Sequence, residues 1–400
     1  MATQPLATDS NPALCQLIAQ QIAASPEQRI TFAEFMELAL YQPQYGYYAT
    51  NRGQAGIQRD FFTSPHLGSD FGELLAEQFA DLWHQLDCPN PFILVEMGAG
   101  QGLLVQDIVR YLHRHQFECF AALEYWMIEK SPALIAAQQQ RLRSLTDSWG
   151  KLVWHSWEEI PSNSIVGCCF SNELVDALPV HLVEVTEGNL QEVYVALNSE
   201  NQIREVIAPL STRRIEEYFK LIDIDLLSDR YPQPYRTEVN LAALDWLSTV
   251  ADRLQRGYLL TIDYGYPAHR YYSPTRDQGT LQCYTQHAHH NDPYIAIGQQ
   301  DITAHVNFTA LERQGEQCGL QTIGFTQQGL FLMALGLGER LNALSNPTPD
   351  QTVQEILKRR ETLHALIDPT GLGNFGVLVQ AKGVDASRSL KGLTVPPLFS

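Results

Sequence analysis

The chain has 400 residues, 44% apolar and 18% charged, with 26 Gly and 21 Pro, which excludes disorder, collagen-like repeats and coiled coil and leaves room for roughly two to three domains, or one large α/β domain with insertions. Its 27 basic and 45 acidic residues give a net charge of −18; with no basic stripe, such a polyanion is repelled by phosphate backbones, so no nucleic-acid partner is expected. The longest apolar run, Gly329 to Gly338, is glycine-broken and about half the ~18 residues a bilayer span needs, so no membrane insertion is expected.

Seven scattered cysteines form no C-x-x-C pair, which fits reduced thiols, and no Lys or Arg precedes Arg29. Neither a secretory leader nor an Arg-rich transit peptide is therefore read, and a cytoplasmic location is expected. The first ninety residues read as a helical region, with a helix stripe at Leu67, Phe71, Leu74, Leu75, Leu82, Trp83 and Leu86. The stretches Tyr41 to Tyr48 and Asp60 to Pro65 read as loops, and Tyr45, Tyr47 and Tyr48 as packing residues.

From Pro91 onward, short apolar strands alternate with helices, the pattern of an α/β doubly wound parallel sheet. Strands are expected at Phe92 to Glu96, up to Glu129, at Leu152 to Trp154, Ile165 to Ser171, Tyr258 to Asp263, Leu320 to Phe325 and Phe375 to Gln380. Helices follow the first two, the second of them capped by Ser131 with Pro132 at its first position. A long helix is expected from about Glu238 to Leu254. Insertions at about 180–236 and 265–300 are too long for simple connections and read as a substrate lobe on a 91–400 core, with 1–90 contributing to the site. His287, His289 and His290 lack the spaced partners of a metal site and read as a surface loop, so no metal is expected.

The first strand runs into Glu96-Met-Gly98-Ala-Gly100-Gln-Gly102. Glycines there let the chain turn sharply and approach a ligand, but a dinucleotide fingerprint would carry its third glycine one place later. The G-x-G-x-G form, with an acid before it and Glu129 ending the next strand, suits S-adenosylmethionine, whose ammonium and sulfonium favour acidic surroundings and whose ribose hydroxyls donate to a carboxylate. A second constellation, Ser171-Asn172-Glu173-Leu-Val-Asp176-Ala-Leu-Pro179, follows the fourth core strand, where a doubly wound sheet opens its ligand crevice. Away from that position, N-E-x-x-D would read as helix capping.

Six ordered segments, Thr63-Ser64-Pro65-His-Leu-Gly-Ser-Asp-Phe-Gly72-Glu-Leu, Glu96 to Gly102, Ser171 to Pro179, Ile262-Asp-Tyr-Gly265, Gly279-Thr-Leu and Asp301-Ile-Thr-Ala-His-Val306, together make the chain resemble the MidA-like methyltransferases, a family that includes the mitochondrial complex I assembly factor. The resemblance implies a class I (Rossmann-like) methyltransferase fold, S-adenosylmethionine as methyl donor, and an arginine-bearing protein as substrate, with a complex I type NADH dehydrogenase subunit as one candidate. It also implies cofactor contacts from Thr63, Ser64 and Pro65 beside Glu96, the three glycines and Glu129, and a substrate contact from His305; Asp263 and Tyr264, at the end of a later core strand, are expected to face the same crevice and touch substrate. The chain departs from the family pattern at His66 (Glu expected), Gln101 (Arg), Leu103 (Thr), Gln282 (Arg) and Asn307 (Asp).

A guanidinium is protonated and delocalised, so its nitrogen is a poor nucleophile until a carboxylate localises the charge on the other nitrogens. Glu173 is expected to be that carboxylate, oriented by Asn172 and Asp176. The rival readings are an assembly chaperone that binds the cofactor without turnover, a methyltransferase for another amine or small molecule, and a dinucleotide-dependent oxidoreductase, against which the glycine spacing speaks.

Overall fold

The computed structural model describes residues 9–50, 63–285, 288–345, 352–385 and 387–395. Its centre is a seven-stranded sheet of β1 (Phe92–Met97), β2 (Leu123–Ile128), β3 (Leu152–His155), β4 (Ile165–Asn172), β5 (Leu254–Asp263), β6 (Gln321–Gln327) and β7 (Gly376–Lys382). The spatial order is β3-β2-β1-β4-β5-β7-β6. β3, β2, β1, β4 and β5 pair in parallel, and β7 runs antiparallel to both neighbours. All six residues of β1 are buried, as a parallel strand covered on both faces must be.

The expected helices form around this sheet: α1 (Asp70–Gln85), α2 (Leu103–His115) and α3 (Pro132–Trp149). The α1 stripe packs Phe71, Leu75, Phe79 and Leu82 into one core with Leu104, Ile108 and Leu112 of α2 and Tyr125 and Phe170 of the sheet. Ser131 caps α3, its Oγ accepting from the Leu134 N–H at 3.4 Å. α4 (Leu241–Arg253) begins later than the sequence predicts. Glu238 lies instead in strand Tyr235–Val239, paired with His181–Val185, and the Asn240 side chain starts the helix by accepting from the Ala243 N–H at 2.8 Å.

The insertion from 180 onward supplies strands His181–Thr186, Asn189–Leu197, Ile203–Ala208 and Tyr235–Val239, which join Arg29–Thr31 in a second, antiparallel sheet. The N-terminal ninety residues are thus mostly helical but include one strand, whose Ile30 pairs with Val195. Tyr47–Thr50, expected as loop, is a helical turn. His289 and His290 sit on strand Ala288–His290 opposite Tyr284 and Cys283, not in a loop, because the chain turns back there as a hairpin; His287 and Asp60 to Phe62 lie outside the described residues. All seven cysteines are free thiols. Among the described residues, no helix is long and apolar enough to cross a membrane.

β4 and β1 approach closely through Gly167, at φ +155°: a Cβ there would stand 1.9 Å from the Ile93 carbonyl oxygen. Gly167→Ala is therefore expected to destabilise the chain by about 3 kcal/mol or more, since neither backbone can move without breaking the central ladder. Urea unfolding of wild type and variant measures this, and an unchanged midpoint would contradict it.

Candidate functional site

A cleft opens beyond the carboxyl ends of β1, β2 and β4, where a doubly wound sheet places its ligands. Its floor is the turn after β1. Gly98, Gly100 and Gly102 all adopt left-handed φ, +69°, +53° and +68°, and the Gly102 N–H closes the turn on the Ala99 carbonyl at 2.8 Å. Their surroundings differ. A Cβ on Gly98 would lie 2.7 Å from Leu174 and one on Gly102 3.1 Å from Leu142, whereas one on Gly100 would meet nothing within 4 Å. Gly98 and Gly102 thus serve the turn and its packing, and Gly100 faces open cleft.

Glu129, just past β2, accepts from the Ser131 N–H at 3.0 Å and from Gln138 Nε2 at 3.4 Å. Gln138 also donates to the Gly100 carbonyl at 2.9 Å and accepts from the Trp154 indole at 2.9 Å. This fully buried glutamine of α3 ties the glycine turn to Glu129, and sequence reading missed it because it looks like any helix glutamine. Glu96 is the unusual residue of β1. It is buried, lines the cleft and accepts from the Tyr125 hydroxyl at 2.6 Å.

The turn after β4 carries Asn172 and Glu173. Glu173 holds a left-handed φ of +52°, a strained conformation for a residue with a side chain. Its N–H bonds the Ile262 carbonyl at 2.9 Å, and its carboxyl accepts from Asn172 Nδ2 at 3.0 Å and from the Ser64 N–H. Asp176, three residues onward, accepts from the Tyr264 hydroxyl. Asn172 Oδ1 and Asp176 Oδ1 are buried without a partner, and both residues line the cleft.

Of the residues singled out from sequence, Thr63, Pro65, Glu96, Gly98, Gly100 and Glu129 line the cleft together with Asn172, Glu173 and Asp176. Ser64 lies behind it, joined to Gln328 at 3.2 Å and to Glu173 through its amide. Gly102 lies under the turn. Asp263 is fully buried beneath the Glu173 turn, where Oδ2 accepts from the N–H groups of Val175 and Asp176 at 2.9 and 3.3 Å and Oδ1 from that of Tyr264 at 2.9 Å. Tyr264 reaches the cleft only through Asp176. His305 stacks on Tyr266, centroids 5.1 Å apart, away from the cleft lining.

The opposite wall was not legible. Tyr41, Tyr47, Tyr48 and Asp301 line it, so Tyr47 and Tyr48 do more than pack. The Tyr48 hydroxyl donates to Asp301 at 3.0 Å, and the Tyr41 hydroxyl to the Ala177 carbonyl at 2.9 Å. Tyr48 and Asp301 are 253 residues apart in sequence, beyond the reach of any spacing argument.

Burial dominates the electrostatics. It pushes the Glu96 carboxyl up to about 8, with the Glu129 charge adding to it, and the Glu173 carboxyl up to about 8, with Asp176 adding to it. Burial also raises Glu129, Asp176 and Asp263. The cleft is an acidic, partly protonated cavity waiting for positive charge.

The chain matches, over residues 74–326, a family model described as "Putative S-adenosyl-L-methionine-dependent methyltransferase". It belongs to that family. A Drosophila melanogaster relative named "Protein arginine methyltransferase NDUFAF7 homolog, mitochondrial" is 31% identical over 398 residues, 93% of this chain and 85% of the relative. The Homo sapiens protein arginine methyltransferase NDUFAF7 is 26% identical over 90% of this chain and 82% of its own. A superfamily member from Burkholderia thailandensis, solved with S-adenosyl-homocysteine bound, is 28% identical, with a TM-score of 0.81 and 96% and 94% of the two chains covered. The fold is accordingly the α/β class I methyltransferase fold expected from sequence, and the cofactor is S-adenosylmethionine.

The residues present fit that cofactor. Gly100 leaves open space for it, Glu129 offers carboxylate oxygens at the cleft wall that ribose hydroxyls could donate to, and the buried acids suit its two cationic centres. Gly100→Val should abolish measurable binding in calorimetry while the chain stays folded, because a branched side chain would fill this space and disfavour the left-handed φ; retained affinity would remove Gly100 from the site. A second outcome concerns protons. In the free protein Glu96 and Glu173 hold theirs to about pH 8, so their ionisation costs folded-state stability as pH rises from the ordinary carboxyl range towards 8. Arrival of a cationic ligand favours the ionised form, so binding at pH 7 should release protons and binding near pH 9.5 should release few. Titrations in buffers of different ionisation enthalpy measure this, and proton uptake at pH 7 would contradict the assignment.

Proposed function

We propose that the chain transfers methyl groups to an arginine side chain of a protein substrate. The observation that carries this reading is the pairing, across one cleft, of buried acceptors lacking partners, Asn172 Oδ1 and Asp176 Oδ1, with the rings of Tyr41 and Tyr48. A guanidinium needs several acceptors in one plane and gains from aromatic faces. The names of the 26% and 31% identical relatives support the same substrate class. The candidate client, a complex I type NADH dehydrogenase subunit during assembly, rests on the sequence resemblance alone.

Bound S-adenosylmethionine supplies an electrophilic methyl group on a sulfonium. In the reading proposed here, Glu173 and Asp176 would hold two guanidinium nitrogens and draw positive charge onto them, leaving the third richer in electron density for the methyl group. Methylation, in which the new N–C bond replaces the methyl–sulfur bond of the cofactor, would require the guanidinium to lose a proton, and Glu173, a carboxyl whose burial raises its proton affinity, would be the acceptor beside it. Asn172 holds Glu173 in place through its Nδ2. The left-handed strain at Glu173 fits a residue kept for chemistry, because a glycine would satisfy the turn at less cost. The N-terminal ninety residues with the insertions at about 180–236 and 265–300 form, in this reading, the lobe that receives the substrate.

Glu173→Gln keeps the shape and removes the charge. Cofactor affinity should change by no more than about 2-fold, and single-turnover transfer to an arginine peptide should fall about 10²-fold or more. Were Glu173 merely a turn residue, melting temperature would drop with transfer intact. Quantitative mass spectrometry of arginine methylation in cells with and without the chain identifies the client. Client binding independent of the cofactor, with no methylation lost, would favour the chaperone reading instead.

A further inference from the structure

The cleft lining carries a charge pattern that the acids alone leave incomplete. Among the described residues no lysine or arginine lines it, and Glu96, Glu129, Glu173 and Asp176 are acceptors when ionised. Two lining side chains present nitrogen instead: His66 Nε2 and Gln101 Nε2 are both buried and both lack a partner. Gln101 is only 8% exposed. Its orientation is fixed from outside, since Arg141 donates to Gln101 Oε1 at 3.4 Å and so leaves the amide NH₂ for the cleft. His66 is fixed likewise, its Nδ1 lying 2.5 Å from the Thr63 hydroxyl. With that nitrogen accepting, the ring proton is assigned to Nε2.

S-adenosylmethionine has one anionic group, its α-carboxylate, and that group needs donors. We propose that His66 Nε2 and Gln101 Nε2 hold the α-carboxylate of the cofactor as a pair of neutral donors and set the direction in which the cofactor lies in the cleft. Exposed Arg141, bonded to Gln101 from behind, adds positive field without entering the cleft. Burial, with Arg141 second, pushes the His66 imidazole below its ordinary value and keeps it neutral at physiological pH. With the carboxylate held there, Glu96 would be left for the ammonium and Glu129 for the ribose hydroxyls. Both residues stand where the family pattern has the opposite charges, Glu for His66 and Arg for Gln101. The inference concerns the cofactor and is independent of the arginine reading.

The test compares S-adenosylmethionine with its decarboxylated analogue, which keeps adenosine, sulfonium and ammonium and lacks only the carboxylate. Calorimetry on the full chain should show that Gln101→Met and His66→Phe each weaken S-adenosylmethionine about 10-fold, the scale of a hydrogen bond to a charged group, and leave the analogue within about 2-fold. Gln101→Glu, of the same size, should weaken S-adenosylmethionine further and tighten the analogue, which carries only positive charge. The analogue's unchanged affinity reports in the same variant that the cleft is intact. Equal losses for the two ligands, or no loss for S-adenosylmethionine, would overturn the proposal.

Discussion

The cleft depends on one buried carboxylate that never enters it. Asp263, at the end of β5, collects the N–H groups of Val175, Asp176 and Tyr264. Two of these donors, Val175 and Asp176, pin the segment that follows β4, while the Glu173 N–H is held by the neighbouring Ile262 carbonyl. Without that anchor, nothing in the local sequence would keep Glu173 at φ +52°. The neighbouring strands pay for the strain, and the geometry of Asn172, Glu173 and Asp176 follows from it.

The second constraint is burial of acid. Six carboxyl groups crowd around and beneath the cleft, and burial raises five of them, Glu96, Glu129, Glu173, Asp176 and Asp263. A stability-only design would replace such groups with apolar side chains of similar size. Their retention makes sense if the missing charge arrives with a ligand. Gln138 shows the contrasting strategy, a buried polar group with both ends of its amide satisfied, which stiffens the floor against which a ligand would press.

Much of this was legible in the sequence for local reasons. The apolar runs of β1, β4 and β5 and the stripe of α1 each carry their own period, and Gly98, Gly100 and Gly102 announce a turn that only glycine tolerates three times. The residues that escaped act at a distance. Asp301 reaches the cleft from a short strand, Asp301–Thr303, paired with Gln282–Tyr284, and Tyr41 from the end of helix Phe32–Tyr41, while Gln138 is polar without being conspicuous. Glu238 misled because a strand residue two places before a capping asparagine reads as the first turn of a helix. Asp263 was assigned to the crevice by its place at a strand end, and only the hydrogen bonds show that it turns its oxygens to the backbone instead.

The two halves of the cleft differ in how far apart along the chain their parts lie. The glycine turn, Glu129 and Gln138 fall within one continuous stretch of β-α units, whose contacts close short loops, and Glu173 joins them once Ile262 and Asp263 hold its turn. The tyrosine wall closes a much longer one, with Tyr48 meeting Asp301 across 253 residues and Arg29–Thr31 pairing with Tyr194–Ala196. Loop closure of that length is slow and entropically costly. During synthesis the N-terminal helices emerge first and wait for their partners, so the cofactor face takes shape while the wall opposite is still without its last residue. The order in which the ribosome delivers the chain thus separates the making of a nucleoside pocket from the completion of the surface facing it.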